Sequence, residues 1–265
     1  MTQPQPDAVQ PSVLVAQDTR GVVTITLNRP AAYNALSEEV LTALQGALNR
    51  VAADPSARVL VLAANGRAFC AGHDLKEMRA EPSLAYYQRL FEQCGQVMLA
   101  LQQLPVPVIA RVQGMATAAG CQLVAMCDLA VASADARFAV SGVNLGLFCS
   151  TPSVALSRNL SRKAAFEMLV TGDFISAEQA LSRGLVNRVV PPEALDTTVA
   201  ALVDSICAKP RAALVLGKAL FYRQAEQGIA AAYADAAQTM ACNMMDASAL
   251  EGVQAFIEKR PPRWP

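Results

Sequence analysis

One histidine and one tryptophan are all that 265 residues contain of these two types. A single imidazole, His73, excludes any mechanism needing two and nearly removes the means of building a histidine-based metal site. Aromatic residues reach only 5%, whereas hydrophobic residues make up 53%, so alanine, valine and leucine must fill the core. There is no excess charge: 22 Lys+Arg stand against 22 Asp+Glu, with pI ≈ 6.6. That balance argues against a chain held to nucleic acid by phosphate contacts or to a membrane by a basic patch. No apolar run approaches the roughly 18 residues of a membrane-spanning helix. The cysteines, Cys70, Cys94, Cys121, Cys127, Cys149, Cys207 and Cys242, are odd in number and include no CxxC pair. A disulfide framework or zinc site is therefore not expected, and a reducing compartment is. Residues 1–12 are polar, with neither an apolar signal core nor an Arg-rich amphipathic pattern. They read as a frayed arm, and the expected location is the cytoplasm of a bacterial cell.

What is present is a strong α/β pattern. Residues 13–17 and 22–27 alternate as two strands around a turn at 19–21. Ser37 is a good N-cap with Glu38 and Glu39 behind it, and Leu41, Leu44, Leu48 and Val51 follow at helical spacing. Residues 59–64 form a continuous apolar run, expected to be a strand buried on both faces. A loop, a helix over 83–103 and a second buried strand over 105–112 come next. Gly114, Ala116, Ala118, Ala119 and Gly120 then predict a strand, a tight turn and a buried helix. Short strands are expected at 128–133 and 137–140. Beyond Thr151 the chain turns helical. Ser176 to Gln179 spell a capping box, a last strand covers 186–190, and four helices follow. The division expected is an arm over 1–12, an α/β core over 13–191 and a helical region over 192–265.

Five segments, taken in order, carry a resemblance. They are Leu27-Asn28-Arg29-Pro30 with Asn34-Ala35-Leu36; Phe69-Cys70-Ala71-Gly72-His73-Asp74-Leu75-Lys76; Ala118-Ala119-Gly120-Cys121-Gln122-Leu123 through Cys127-Asp128; Thr171-Gly172 to Val190; and Glu251-Gly252 to Lys259. Together they resemble the crotonase superfamily of enoyl-CoA hydratases and isomerases, over about residues 13–260. The string from Gly142 to Pro152 resembles one branch of it. The resemblance implies a spiral of ββα units with a C-terminal helical trimerisation region. It implies homotrimers or hexamers, an acyl-CoA thioester as the partner, and no permanently bound cofactor, coenzyme A arriving as part of the substrate.

In that family two backbone N–H groups hold the thioester oxygen as it becomes an enolate. By position they belong here to His73 and Ala119. Such an oxyanion hole is often the largest single catalytic contribution. The small residues around both positions and the expected helix start at 119 suit close approach to a ligand. The His73 imidazole has two open readings, acid–base work or a hydrogen-bonded wall of the pocket, and Asp74 reads as a local cap. The two glutamates with which the hydratases activate water are absent: Gln122 and Gly142 occupy their positions. General acid–base groups contribute ~10²–10⁴-fold each, so ordinary hydration is not expected. Chemistry that leans on the oxyanion hole alone, such as decarboxylation or hydrolysis of a thioester, remains compatible, as does acyl-CoA binding without turnover. Cys149 reads either as a nucleophile or as a packing residue. For the coenzyme, the resemblance points to Arg29, to Ala71, His73, Asp74, Leu75 and Lys76, and to Phe256 and Lys259, the last two reaching a neighbouring subunit.

Overall fold

The computed structural model describes residues 10–265, so most of the expected arm lies outside the described residues. Ser12 is already anchored. Its hydroxyl donates to Glu39 at 2.8 Å, and its carbonyl accepts from the Asn28 N–H at 2.8 Å.

Strands β1 (Val13–Gln17) and β2 (Val22–Leu27) pair antiparallel. The Asp18 carboxylate closes their turn by accepting from the N–H groups of Arg20 and Val22, both at 2.9 Å. Helix α1 (Glu38–Ala53) starts where Ser37 Oγ accepts from the Val40 N–H, and its Val40, Leu41, Leu44, Leu48 and Val51 are buried. It leads to β3 (Val59–Ala64), buried along its whole length and parallel to β2.

From β3 through the next five strands the chain alternates between two sheets. Strands β5 (Val108–Val112), β7 (Leu129–Ser133) and β10 (Arg188–Val190) extend the first, in the order β1-β2-β3-β5-β7-β10. Strands β4 (Ala68–Cys70), β6 (Met115–Thr117), β8 (Arg137–Ala139) and β9 (Ile175–Ser176) form the second, in that order. Each of the first three passes lays one strand in each sheet and then adds helix. Helices α2 (Leu75–Ala80) and α3 (Leu84–Gln103) follow β4, α4 (Ala119–Met126) follows β6, and α5 (Ser150–Asn159) and α6 (Arg162–Thr171) follow β8. Helix α7 (Ala177–Ser182) follows β9 and opens with the capping box at Ser176 and Gln179. The result is the α/β spiral that the resemblance implies. Periodicity alone does not distinguish it from a doubly wound sheet.

Four helices end the chain: α8 (Leu195–Cys207), α9 (Arg211–Ala225), α10 (Ile229–Met244) and α11 (Ala247–Ile257). Leu195, Val199 and Val203 of α8 pack with Val22, Val59, Val61, Ile109 and Val131 on the first sheet, so this first C-terminal helix contributes to the core. Among the described residues no helix is long and apolar enough to cross a membrane.

The expected loop after Gly66 contains β4 and α2. Three strand residues are too few for alternation to register. Helix α2 has no buried residue, so it carries no apolar stripe. The strand expected from residue 105 begins at Val108, because Pro105 and Pro107 have no N–H to give a ladder.

Candidate active site

The second sheet positions the site. Strand β4 delivers Ala71 to Asp74, β6 delivers Ala118 and Ala119, and β8 delivers residues 141–152. The 71–74 segment is fixed along one edge. The Ala71 N–H donates to Tyr33 O (3.0 Å), Leu36 N–H to Gly72 O (2.8 Å) and Asp74 N–H to Leu36 O (3.1 Å). His73 thus pairs with Leu36 as a parallel bridge whose bonds use the groups on either side of it. Among the described residues the His73 N–H has no acceptor, because it faces away from that ladder.

The second loop meets the first at Gly72. This glycine has φ +90°, and a Cβ built on it lies 2.9 Å from Ala118 Cβ and 3.4 Å from Ala119 N. Any side chain here forces the loops apart and is itself strained. Ala118 has φ 50° and ψ −120°, an unfavourable conformation for a residue with a Cβ and one typical of ligand-binding turns. It turns the chain sharply into α4, so that Ala119 is the first helical residue and its N–H has no partner one turn back. Two outward N–H groups on adjoining loops, one at a helix N-terminus, form a cradle for a partial negative charge.

Both loops open on a cavity of about 270 Å³. It is lined by Ala71, His73, Leu75, Ala118, Ala119, Gly142 and Cys149, with Met78 and Phe91 from α2 and α3 and Ser141, Leu145, Leu147, Phe148, Ser150, Thr151 and Pro152 from the 141–152 segment. No lysine, arginine, aspartate or glutamate is among the lining residues. Met78 and Phe91 carry no signal in the sequence, where apolar residues at such positions look the same as core.

Gly142 sits in a single turn of 3-10 helix (Ser141–Leu145). A Cβ there would lie 2.5 Å from Leu147 O and 2.7 Å from Cys149 Sγ. The Leu147 N–H donates back to Gly142 O at 3.0 Å, so backbone occupies the space a side chain would need. At the other glutamate position, Gln122 is buried within α4 and its Oε1 has no hydrogen-bond partner. Cys149 is buried, and desolvation raises the pKa of its thiol, which disfavours the thiolate a nucleophile requires.

Several residues expected to hold the coenzyme lie outside the cavity wall. Arg29 braces the loops: it donates to Ala35 O (2.9 Å) and pairs with Asp74 at 3.2 Å. Asp74 caps α2 by accepting from the N–H groups of Lys76 and Glu77. Lys76 is exposed on that helix, and Phe256 and Lys259 are exposed at the end of α11.

The His73 imidazole lines the cavity and meets Phe91 edge-on, with ring centroids 5.4 Å apart. Both ring nitrogens are buried. Of the two readings left open by the sequence, the wall of the pocket agrees with this geometry. Burial lowers its pKa from 6.5 to about 4, opposed by a hydrogen bond with the Leu36 backbone, so the ring is neutral at pH 7. Unfolded, it takes up its proton near 6.5; folded, near 4. The unfolded chain therefore binds the extra proton between these values. Stability from this group is complete above about pH 6.5 and is lost as pH falls towards 4, by about 3 kcal/mol in all. With one histidine in the chain, its ring protons can be followed without ambiguity by NMR. The expected midpoint is near 4; a midpoint near 6.5 would contradict the buried placement.

A family model described as enoyl-CoA hydratase/isomerase matches residues 17–265. The chain belongs to the enoyl-CoA hydratase/isomerase family. A crystal structure of an enoyl-CoA hydratase from Mycobacterium smegmatis is 69% identical, with a TM-score of 0.96 over 96% of this chain and 99% of that one. The structure of human enoyl-CoA hydratase domain-containing protein 3 is 43% identical, with a TM-score of 0.92 over 96% and 100% of the two chains. The Xenopus laevis protein of that name is 47% identical over 94% of this chain and 85% of its own. The branch suggested by residues 142–152 is thus among the family members this chain resembles. One expectation is corrected: the vertebrate relatives, 43–47% identical, are named as mitochondrial proteins. A polar N-terminus carries too little information to have supported a cytoplasmic location.

Proposed function

We propose that this family member binds a short acyl-CoA thioester, with its carbonyl oxygen between the N–H groups of His73 and Ala119, and that it does not use the two-glutamate hydration mechanism. The observation that carries this reading is a preserved cradle of two free N–H groups opening on a cavity without a carboxylate. Oriented donors of this kind stabilise an enolate, while the wall carries no carboxylate to take a proton from water and return it to carbon. The position of the second glutamate is filled by the Leu147 carbonyl and the Cys149 thiol.

Self-association belongs to the same reading. Helices α9 to α11 expose Phe221, Ile229, Tyr233, Met240, Met245 and Phe256, more apolar surface than a solitary helical hairpin keeps in water. A trimer, alone or paired into a hexamer, would cover it and would bring Phe256 and Lys259 towards a neighbour's coenzyme.

The test is to incubate the purified protein with crotonyl-CoA, measure binding, and follow the ester by mass spectrometry beside a Gln122→Ala control. Binding with no gain of water is the expected result. Gln122-dependent gain of water at an enzyme-like rate would overturn the mechanistic part, and absence of binding the whole reading. Malonyl-type thioesters are the next substrates, since their decarboxylation passes through the same enolate and needs no base to begin.

A further inference from the structure

We infer that Thr117 is a positioning residue for the cradle, and that its hydroxyl sets the span between the His73 and Ala119 N–H groups. This rests on the acyl-CoA reading above and extends it to a side chain that acts only through the two loops.

The loops are anchored on different neighbours. The 71–74 segment hangs on residues 33–36 through the three hydrogen bonds described above. The turn at 118 hangs on β8, where the Ala118 N–H donates to Ala139 O at 2.9 Å, and runs on into α4. Strands β4 and β6 pair only as far as Cys70 with Ala116. Past that pair, among the described residues, one hydrogen bond joins the loops: Thr117 Oγ1 donates to Ala71 O at 3.0 Å. Thr117 is 6% exposed, so water competes little for that bond.

Packing and hydrogen bond act in opposite senses. A Cβ on Gly72 would lie 2.9 Å from Ala118 Cβ and 3.2 Å from Thr117 O, so the loops are already at contact and cannot close further. The Thr117 hydroxyl keeps them from opening. Ala118 makes this tie necessary. At φ 50° and ψ −120° a glycine would rest without strain, whereas a residue with a Cβ stays there only when its surroundings fix it. The Thr117 hydroxyl fixes the chain just before Ala118, and the bond to Ala139 O fixes Ala118 itself. Without the hydroxyl, Ala118 can relax and the Ala119 N–H swings off the point it shares with the His73 N–H. Hydrogen bonds weaken steeply with misalignment, so a small rotation removes one of the two donors.

The experiment uses butyryl-CoA isotopically labelled at its carbonyl carbon. Difference infrared spectroscopy reads how far the thioester carbonyl band falls in frequency on binding to the wild-type protein, Thr117→Val and Thr117→Ser. Valine keeps the shape without the donor; serine keeps the donor. The expected shift in Thr117→Val is about half that of the wild type, one donor of two being out of line, and Thr117→Ser regains most of it. Calorimetry should show butyryl-CoA bound up to about tenfold more weakly by Thr117→Val. Affinity for free coenzyme A, which brings no thioester carbonyl, should not change. A threonine that merely stabilises its strand would lower the denaturation midpoint and leave the carbonyl shift alone. That result would overturn the inference, as would a lost shift that serine does not restore. Should the valine variant not fold, Thr117→Cys, close in size and a weak donor, carries the same comparison. Failure of the wild type to bind butyryl-CoA would sink the acyl-CoA reading and this inference with it, whereas a bound ester with an unaltered shift in the variant sinks the inference alone.

Discussion

Placing a glutamate at residue 142 is expected to destabilise the fold without creating a hydratase. Gly142→Glu, alone or with Gln122→Glu, should leave crotonyl-CoA unhydrated. The first atom of any side chain at this position falls 2.5 Å from Leu147 O and 2.7 Å from Cys149 Sγ. Neither is the free end of a flexible chain. Leu147 O is backbone, in a turn closed by hydrogen bonds from Leu147 N–H to Gly142 O and from Gly146 N–H to Val143 O. Cys149 is held at the start of α5, where its carbonyl accepts from the Ser153 N–H. The 141–149 segment must move before even alanine fits. Overpacking of this kind costs about 1–3 kcal/mol. The carboxylate adds the cost of a charge facing a wall without a cation. Urea denaturation of the variants measures the first effect and a crotonyl-CoA assay the second. The comparison with Gln122→Glu alone is informative, because that swap keeps the shape of a side chain α4 already accommodates. A double variant that is both stable and hydrating would show that the segment yields easily, and that the missing glutamates reflect substitution alone. Stable inactivity would point to missing geometry beyond the two carboxylates.

How far the sequence reveals this can be seen residue by residue. Helix α1 is plain from Ser37 and the leucine spacing, and β3 from its unbroken apolar run, because long elements with a full period or an end signal report themselves. The site loops are legible for another reason: Ala71-Gly72 and Ala118-Ala119-Gly120 advertise places where backbone must approach backbone. Three kinds of information are hidden. The alternation of strands between two sheets depends on pairing between distant segments, and strands of two or three residues such as β4 and β9 leave no periodic trace. The blocked space beside Gly142 depends on a turn that returns Leu147 and Cys149 to it, so the sequence shows a missing glutamate but not that no glutamate fits. Arg29 illustrates the third. A cation beside a coenzyme motif invites a phosphate role, yet its guanidinium is already committed to Ala35 O and Asp74. Partners in space, not residue type, decide what a charge is free to do.

The same holds for Asp128, the acidic residue nearest the Gln122 motif in sequence, and it sets the largest stability effect expected here. Its carboxylate does not face the cavity. It accepts from Lys218 Nζ (2.7 Å), Tyr222 OH (2.7 Å) and the Val108 N–H (2.6 Å). Lys218 also donates to Leu101 O (3.1 Å) and Val106 O (3.0 Å), and its side chain is only 8% exposed. Desolvation lowers the Lys218 pKa, opposed by the attraction of Asp128. No residue of helix α9 other than the Lys218 side chain is buried, and this polar cluster ties the helix to the end of α3 and the start of β5. Lys218→Met should therefore cost about 3–5 kcal/mol, the usual consequence of removing one partner from a buried pair. The double variant Lys218→Met with Asp128→Leu should cost less than the sum of the two single changes, because no unpaired charge is left behind. Denaturant titration of the four proteins measures the coupling, and hydrogen exchange locates it. Amides of α9 to α11 should lose protection first in Lys218→Met, while those of β2, β3 and β5 keep theirs. A loss under about 1 kcal/mol, or exchange that rises uniformly along the chain, would mean that apolar contacts hold the C-terminal helices and the ion pair is incidental. The expected pattern would make this buried pair the hinge pin between the spiral and the surface on which the proposed oligomer is built.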